Sequence, residues 1–279
     1  MRRIIIPMLG MGLCLGAFLA AARSAPPVKE IKLNHDDLKQ LVPEYKVWVD
    51  AKQKFVVMQG EVCLTKGFLE MFCCPKGTKE HESIVSVKTE AKIVHAALLA
   101  VGAVSGTTVQ FRPEYKSATG QVIEVYVLWN DKDGAPKQTL AQNWIRDVKT
   151  NKAMSVPWVF AGSGFWEDDD GKKHYRAESG DFICVSNFPG AMMDLPIQST
   201  DQNNELNFEA FTERIPPKGT EVKIVLVPKL TADKKPVMEP ASAAQPATDK
   251  TDATKPPASK ATAAPDSVKP DASKPKADK

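Results

Sequence analysis

The stretch Tyr45-Lys46-Val47-Trp48-Val49-Asp50-Ala51-Lys52-Gln53-Lys54-Phe55-Val56-Val57-Met58 decides the fold class. Two runs of β-branched and aromatic residues flank the polar Asp50 to Gln53, which is the pattern of an antiparallel hairpin. A second pair, Glu61 to Leu64 and Phe68 to Phe72, brackets Lys66-Gly67 and predicts another hairpin. Short strand signals bounded by Gly, Pro, Asp or Asn recur from Ser83 to Val227. Glu90 to Val101 departs from this pattern, with Ala, Ile, Val, His and Leu at helical spacing, Thr89 placed to cap and Gly102 placed to stop. That segment is apolar nearly all round, which predicts burial. The fold class is therefore α+β: a mainly antiparallel β-sheet with one buried helix.

Outward from this core, both ends change character. Arg2 and Arg3 precede an uncharged apolar run from Ile4 to Ala22, which ends at Arg23-Ser24-Ala25. This order of charge, apolar run and small residues predicts a signal peptide over 1–24, cut after Ser24. Gly10, Gly12, Gly16 and Pro7 weaken the run as a stable membrane span. From Thr231 the chain has no aromatic residue, no Leu and no Ile, and repeats Lys, Pro, Ala, Asp, Ser and Thr. Such a segment cannot bury enough apolar surface to offset its ordering entropy, which predicts a disordered tail over 231–279 and a globular domain over 28–230.

The net charge of +3 is spread along the chain, and in the tail acids interleave with the lysines. No basic stripe with aromatics appears, so the charge does not point to nucleic acid. Contact with the membrane is expected only through the transient leader, and the expected partner is an envelope or extracellular molecule.

Trp129 to Gly134 and Trp166 to Gly171 each end in an Asp-Gly turn, which suits two hairpins sharing turn chemistry. Beyond the leader the cysteines are Cys63, Cys73, Cys74 and Cys184. An oxidising compartment invites disulfides, and Cys184 with Cys73 or Cys74 is the candidate bridge. The densest polar chemistry lies in Cys73-Cys74-Pro75-Lys76-Gly77-Thr78-Lys79-Glu80-His81-Glu82-Ser83. There Cys74, His81 and Glu82 are the residue types that ligate a metal ion or activate a thiol. His81, Glu82 and, on the helix, His95 are the candidate catalytic groups. No Cys-x-x-Cys or His-Glu-x-x-His spacing accompanies them, so neither a zinc nor a redox site is specified, and a metal ion at Cys74, His81 and Glu82 stands as the candidate cofactor.

Four segments, Cys74 to Ser83, His95 to Ala103, Trp158 to Ser163 and Asp181 to Phe188, together resemble the YdjY-type domain of exported bacterial proteins. The resemblance covers about Val47 to Pro228 and implies a domain without an agreed activity. Some members are described as iron–sulfur proteins, but this chain lacks the Cys-x₂-Cys-x₂-Cys run such clusters use. The function expected is an exported, non-enzymatic binding module. The alternative is a metal- or thiol-dependent enzyme centred on Cys74, His81 and Glu82.

Export with cleavage has a direct check. N-terminal sequencing of the protein recovered outside the cytoplasm should begin at Ala25, whereas a soluble cytosolic chain that keeps its leader would overturn the assignment.

Overall fold

The computed structural model describes residues 29–198 and 207–229; the expected leader and tail lie outside them. In chain order the strands are β1 (Leu38–Gln40), β2 (Val47–Asp50), β3 (Phe55–Val62), β4 (Met71–Pro75) and β5 (Ser83–Val87), followed by helix α1 (Ala91–Ala100). Next come β6 (Val122–Asn130), β7 (Pro136–Leu140), β8 (Ile145–Asp147), β9 (Lys152–Ala153), β10 (Trp158–Phe160), β11 (Phe165–Glu167) and β12 (Lys173–Tyr175). The last four are β13 (Ile183–Cys184), β14 (Met193–Asp194), β15 (Phe208–Ala210) and β16 (Glu221–Pro228).

The sheet is not open. Its hydrogen-bonded order β3-β16-β6-β10-β14-β13-β4-β5 returns to β3, which makes a closed barrel. The expected antiparallel sheet is also mixed, because β4 runs parallel to β5 and β13 parallel to β14. β1, β2 and β7 extend this ring, while β11–β12 and β15-β8-β9 form two small separate sheets. An eight-stranded ring is just wide enough for side chains to fill. Here Met58, Phe72, Ile84, Trp158, Phe160 and Phe182 are fully or almost fully buried in one continuous core.

The hairpin at Tyr45 to Met58 forms as its sequence predicts, with Val47 opposite Met58 and Asp50 opposite Phe55. Its turn is held by Asp50, whose Oδ1 accepts a hydrogen bond from the Gln53 amide at 2.7 Å. The second expected hairpin does not form. Glu61 and Val62 pair with Ser86 and Val85 of β5, while Leu69 hydrogen-bonds through its backbone to Phe208. Local turn chemistry at Gly67 is overridden because β3 needs β5 to close the barrel.

β3 thus changes partner along one edge. Phe55 to Met58 face β2, and Gly60 to Val62 face β5, while β16 runs along the other edge. At the changeover a Cβ on Gly60 would stand 2.8 Å from the Ser86 carbonyl oxygen and 2.9 Å from methyls of Val85 and Val87. The backbones can approach only because that position carries no side chain.

Helix α1 buries Ala91, Val94, Ala97 and Leu98 but leaves Leu99 48% exposed, so one face is buried rather than the whole helix. Thr89 does not cap it. The carboxylate of Glu178 accepts from the amides of Ala91 and Lys92, each at 3.0 Å, a cap supplied from far along the chain. Gly102, at φ 89°, ends the helix as expected.

Replacing Gly60 tests the closure. Gly60→Ala should lower unfolding free energy by about 1–3 kcal/mol through overpacking, measured by urea denaturation, and should raise amide exchange at Val85 and Val87 before other barrel strands.

Candidate functional site

Both parallel pairs have short connections, residues 76–82 and 185–192, where such crossovers usually need about a dozen residues or more. Each connection must fold straight back over its own strands. The first does so with the Gly77 amide donating to Glu80 Oε1, Thr78 Oγ1 donating to the Pro75 carbonyl at 2.6 Å, and Gly77 at φ 88°. Its return is fixed by the amides of Glu70 and Met71, which donate to the Glu82 carbonyl. The second covers a small separate cluster of Met71, Cys184 and Ala191, with Phe188 packed on it.

Where the two connections meet, one ammonium stands among three carboxylates. Lys79 Nζ lies 3.5 Å from Glu70 Oε2, 3.5 Å from Glu82 Oε1 and 3.4 Å from Asp181 Oδ1. It also sits 4.3 Å from the centre of the Phe188 ring. Burial, and then the hydrogen-bonded Glu82 carboxyl, push Glu70 up to about 7. Burial likewise raises Asp181, against the pull of Lys79. Burial works to lower the Lys79 pKa, but Asp181, Glu82 and Glu70 outweigh it and leave it raised. A proton held on Glu70 near neutral pH reduces the excess of negative charge around the single ammonium.

A second buried acid lies nearby on β14. Asp194 is 0% exposed; its Oδ1 accepts from Asn187 Nδ2 at 3.0 Å and from the Leu195 amide at 2.7 Å, while Oδ2 has no hydrogen-bond partner. Burial pushes its pKa up to about 7. Oδ2 is therefore the natural seat of the proton.

The residues singled out in the sequence do not converge. His81 lies exposed at the loop surface, its Nε2 3.7 Å from Glu82 Oε2. Cys74 is fully buried beneath that loop, beside the Thr78 hydroxyl and the Lys79 amide. His95 belongs to another network. His95 Nδ1 and Tyr175 OH share a hydrogen bond at 2.7 Å, and Tyr175 OH lies 3.0 Å from the Gly162 carbonyl, which accepts. The ring packs edge-on against Phe160 and Tyr175, and burial lowers its pKa, which favours the neutral form. Among the described residues, no group of three or more His, Cys, Asp or Glu side chains is placed to hold a metal ion. Cys74, His81 and Glu82 thus form no common ligand set here.

Cys63, Cys73, Cys74 and Cys184 are all free thiols. Cys73 points into the main core and Cys184 into the small cluster under Phe188, on opposite sides of the barrel wall, so the candidate bridge from Cys184 to Cys73 is absent. The bridge from Cys184 to Cys74 is absent too. Burial raises every one of these thiols, Cys63 to about 12, which keeps them protonated near neutral pH.

The four segments quoted above nevertheless meet in space. Lys79 joins the first to Asp181 and Phe188 of the fourth, His95 of the second packs on Phe160 of the third, and Trp158 Nε1 donates to the Cys184 carbonyl at 2.7 Å. Sequence inspection missed Glu70, Lys79, Asp181 and Asp194 as interacting groups. Only the clustering around His81 hinted at them.

A separate concavity lies on another part of the outer wall. The N-terminal segment 29–35 straps the outer barrel face, with the Ile31 amide donating to Gln138 Oε1 at 3.0 Å and Gln138 Nε2 donating to the Lys29 carbonyl at 3.2 Å. Beside the strap an open groove of about 780 Å³ runs over β3, β16, β6 and β7, lined by Ile31, Gln59, Leu128, Asn130, Gln138 and Lys223 among others.

Fold and site together define a closed, mixed β-barrel domain with a filled interior and an outer polar surface built by short crossovers. The family profile of the YdjY domain matches residues 47–227, and the chain belongs to that family. No curated protein and no solved structure matches it significantly.

Buried Glu70 and Asp194, both raised to about 7, make stability pH-dependent with a defined sign. A folded pKa near 7, above the usual Asp value near 3.8, means the native state holds the extra proton. The stability Asp194 contributes is complete below its unfolded pKa and is lost as pH rises through about 7. Asp194→Asn keeps the acceptor and removes the titration. Its melting temperature should gain on that of the native protein from about pH 4 to pH 7 and level off above that, by the equivalent of a few kcal/mol at most; a constant difference over that window would refute the assignment.

Proposed function

We propose that this YdjY domain is exported and acts as a non-enzymatic binding module whose ligand lies in the groove beside the 29–35 strap. The groove carries the proposal. Its volume of about 780 Å³ falls in the range of small-molecule and short-oligomer sites. Its wall combines apolar Ile31, Leu33 and Leu128 with the side-chain amides of Gln59, Asn130 and Gln138. Such a wall can place hydrogen bonds on a ligand while shielding part of its surface.

The groove is firmly framed. β16 pairs with β3 on one side and β6 on the other over most of its length, so the floor is hydrogen-bonded continuously. Ile31 is anchored in an outer core with Phe55, Val57, Tyr126, Val225 and Val227, which fixes the strap as one wall. A rigid, preformed wall lowers the ordering cost of binding. Export rests on the charged and apolar leader with its small-residue cleavage site. The alternative of a thiol- or metal-dependent enzyme at Cys74, His81 and Glu82 gains no support from buried, protonated thiols and a solvent-facing His81.

Amide-resolved NMR titration of the mature chain with panels of short neutral and charged oligosaccharides and peptides tests the proposal. A ligand should shift Gln59, Leu128, Asn130 and Lys223 together, and Lys223→Trp, which fills the groove from the surface, should weaken it about tenfold or more, the loss expected for one good contact. Shifts confined to other faces, or none with any panel member, would defeat it.

A further inference from the structure

We propose that the seam where β3 changes partner is an oxyanion subsite, which seats a phosphate or carboxylate group at one end of the groove ligand. It rests on the groove reading for the rest of that ligand, but the seam itself is defined independently by the barrel closure.

The seam is a geometric consequence of the topology. β2 leaves β3 at Val47, opposite Met58, and β5 joins it at Val87, opposite Gly60. On the outer face the gap between those two strand ends is a notch of about 200 Å³. Lys46 precedes β2 and Lys88 follows β5, so the two strand ends bring a lysine to the gap from each side. Lys76 reaches it from the end of β4. Gln59 and Glu221 line both this notch and the larger groove, so the two concavities are continuous.

The charge balance favours an anion. Lys76 Nζ is neutralised by Glu61 Oε1 at 2.5 Å. Lys46 and Lys88 have no ion-pair partner among the described residues, which leaves two ammonium groups against the single carboxylate of Glu221. Lysine is a point charge on a flexible stem, suited to closing on an oxyanion that arrives in a preformed gap.

A second observation is independent of the lysines. Ser86 is 2% exposed and lines the notch, and its Oγ, beside the weakly accepting Cys63 thiol, makes no hydrogen bond of normal geometry. Ser86 sits between Val85 and Val87, both of which point into the barrel core, so its side chain is turned to the outer face. A buried hydroxyl without a partner costs stability unless something in its surroundings accepts its proton. An oxyanion in the notch supplies that acceptor and meets the two free ammonium groups at once.

The test uses inorganic phosphate and acetate as separate probes on the full mature chain, at constant ionic strength, followed by amide and Lys side-chain NMR shifts. Saturable shifts are expected at Lys46, Gly60, Ser86 and Lys88. Tighter saturation by phosphate assigns a phosphoryl group, and tighter saturation by acetate a carboxylate. The Lys46→Ala, Lys88→Ala double variant, altered only at exposed side chains, should fold normally and bind about tenfold more weakly or worse, because hydrogen bonds to charged groups are stronger than neutral ones. Glu221→Gln should bind more tightly, a gain that a purely structural role for these residues would not produce. Linear shifts with both probes, or equal affinity in the double variant, overturn the subsite. A neutral ligand that fills the groove and ignores the double variant would leave the groove standing and remove the subsite; saturable phosphate at the seam with an empty groove would do the reverse.

Discussion

Closure of the barrel at β3 and β5 is the constraint on which the rest depends. Only three residue pairs make it, Gly60 with Val87, Glu61 with Ser86 and Val62 with Val85. Without them β3 and β5 would each present an unpaired edge, and the core lined by Val62, Val85 and Val87 would open to water. The close approach depends on the missing side chain at position 60. The same changeover leaves a gap in the outer wall, because β2 and β5 cannot both reach the same residues of β3. A small notch with charged rims is thus the geometric residue of closing this particular ring.

The second organising feature is that two of the ring's neighbours run parallel with too little chain to cross over comfortably. Residues 76–82 and 185–192 must fold back tightly against the outer face, and they come to rest against each other. Tight return leaves polar side chains half-buried: Glu70, Glu82 and Asp181 gather around Lys79 because their backbones have nowhere else to go. This explains why, among the described residues, the segment richest in His, Cys and acids gathers no metal-ligand set. The ammonium already occupies the centre of the carboxylate cluster, Cys74 is sealed under the loop, and His81 is carried out to solvent.

Much of the local structure was legible in the sequence, while the long-range pairing was not. The hairpin of β2 and β3, the Asp-Gly turns and the helix stop at Gly102 follow from residues close in sequence. In both Asp-Gly turns an aspartate Oδ1 accepts backbone amides two and four residues on, the shared chemistry their common pattern suggested. The parallel pairs were invisible because short connections usually mark antiparallel neighbours. The helix cap from Glu178 was invisible for a different reason: a carboxylate distant in sequence replaced the local Thr89. For the site, composition pointed to the loop at residues 76–82, where the structure gathers Glu82 with Lys79, Glu70 and Asp181 rather than in a common set with Cys74 and His81. Reactive types such as Cys74 and His81 draw attention by chemistry, whereas Lys79 and Glu70 gain theirs only from burial against a neighbouring crossover.

These features also determine where a ligand can go. An eight-stranded ring filled by Phe72, Trp158, Phe160 and Phe182 leaves its interior to side chains, so the proposed ligand can lie only on the outer wall. Part of that wall is occupied by the crossovers and by the small clusters beneath them. Another part, over Phe55, Val57, Tyr126 and Val225, is covered by the strap at Ile31. The groove begins where the strap ends and runs toward the seam at Gly60, through Gln59 and Glu221. The stretch of outer face left open by both covers therefore leads from a wall of amides and apolar groups to a cluster of lysines, and a ligand with a polar body and an acidic end fits that gradient.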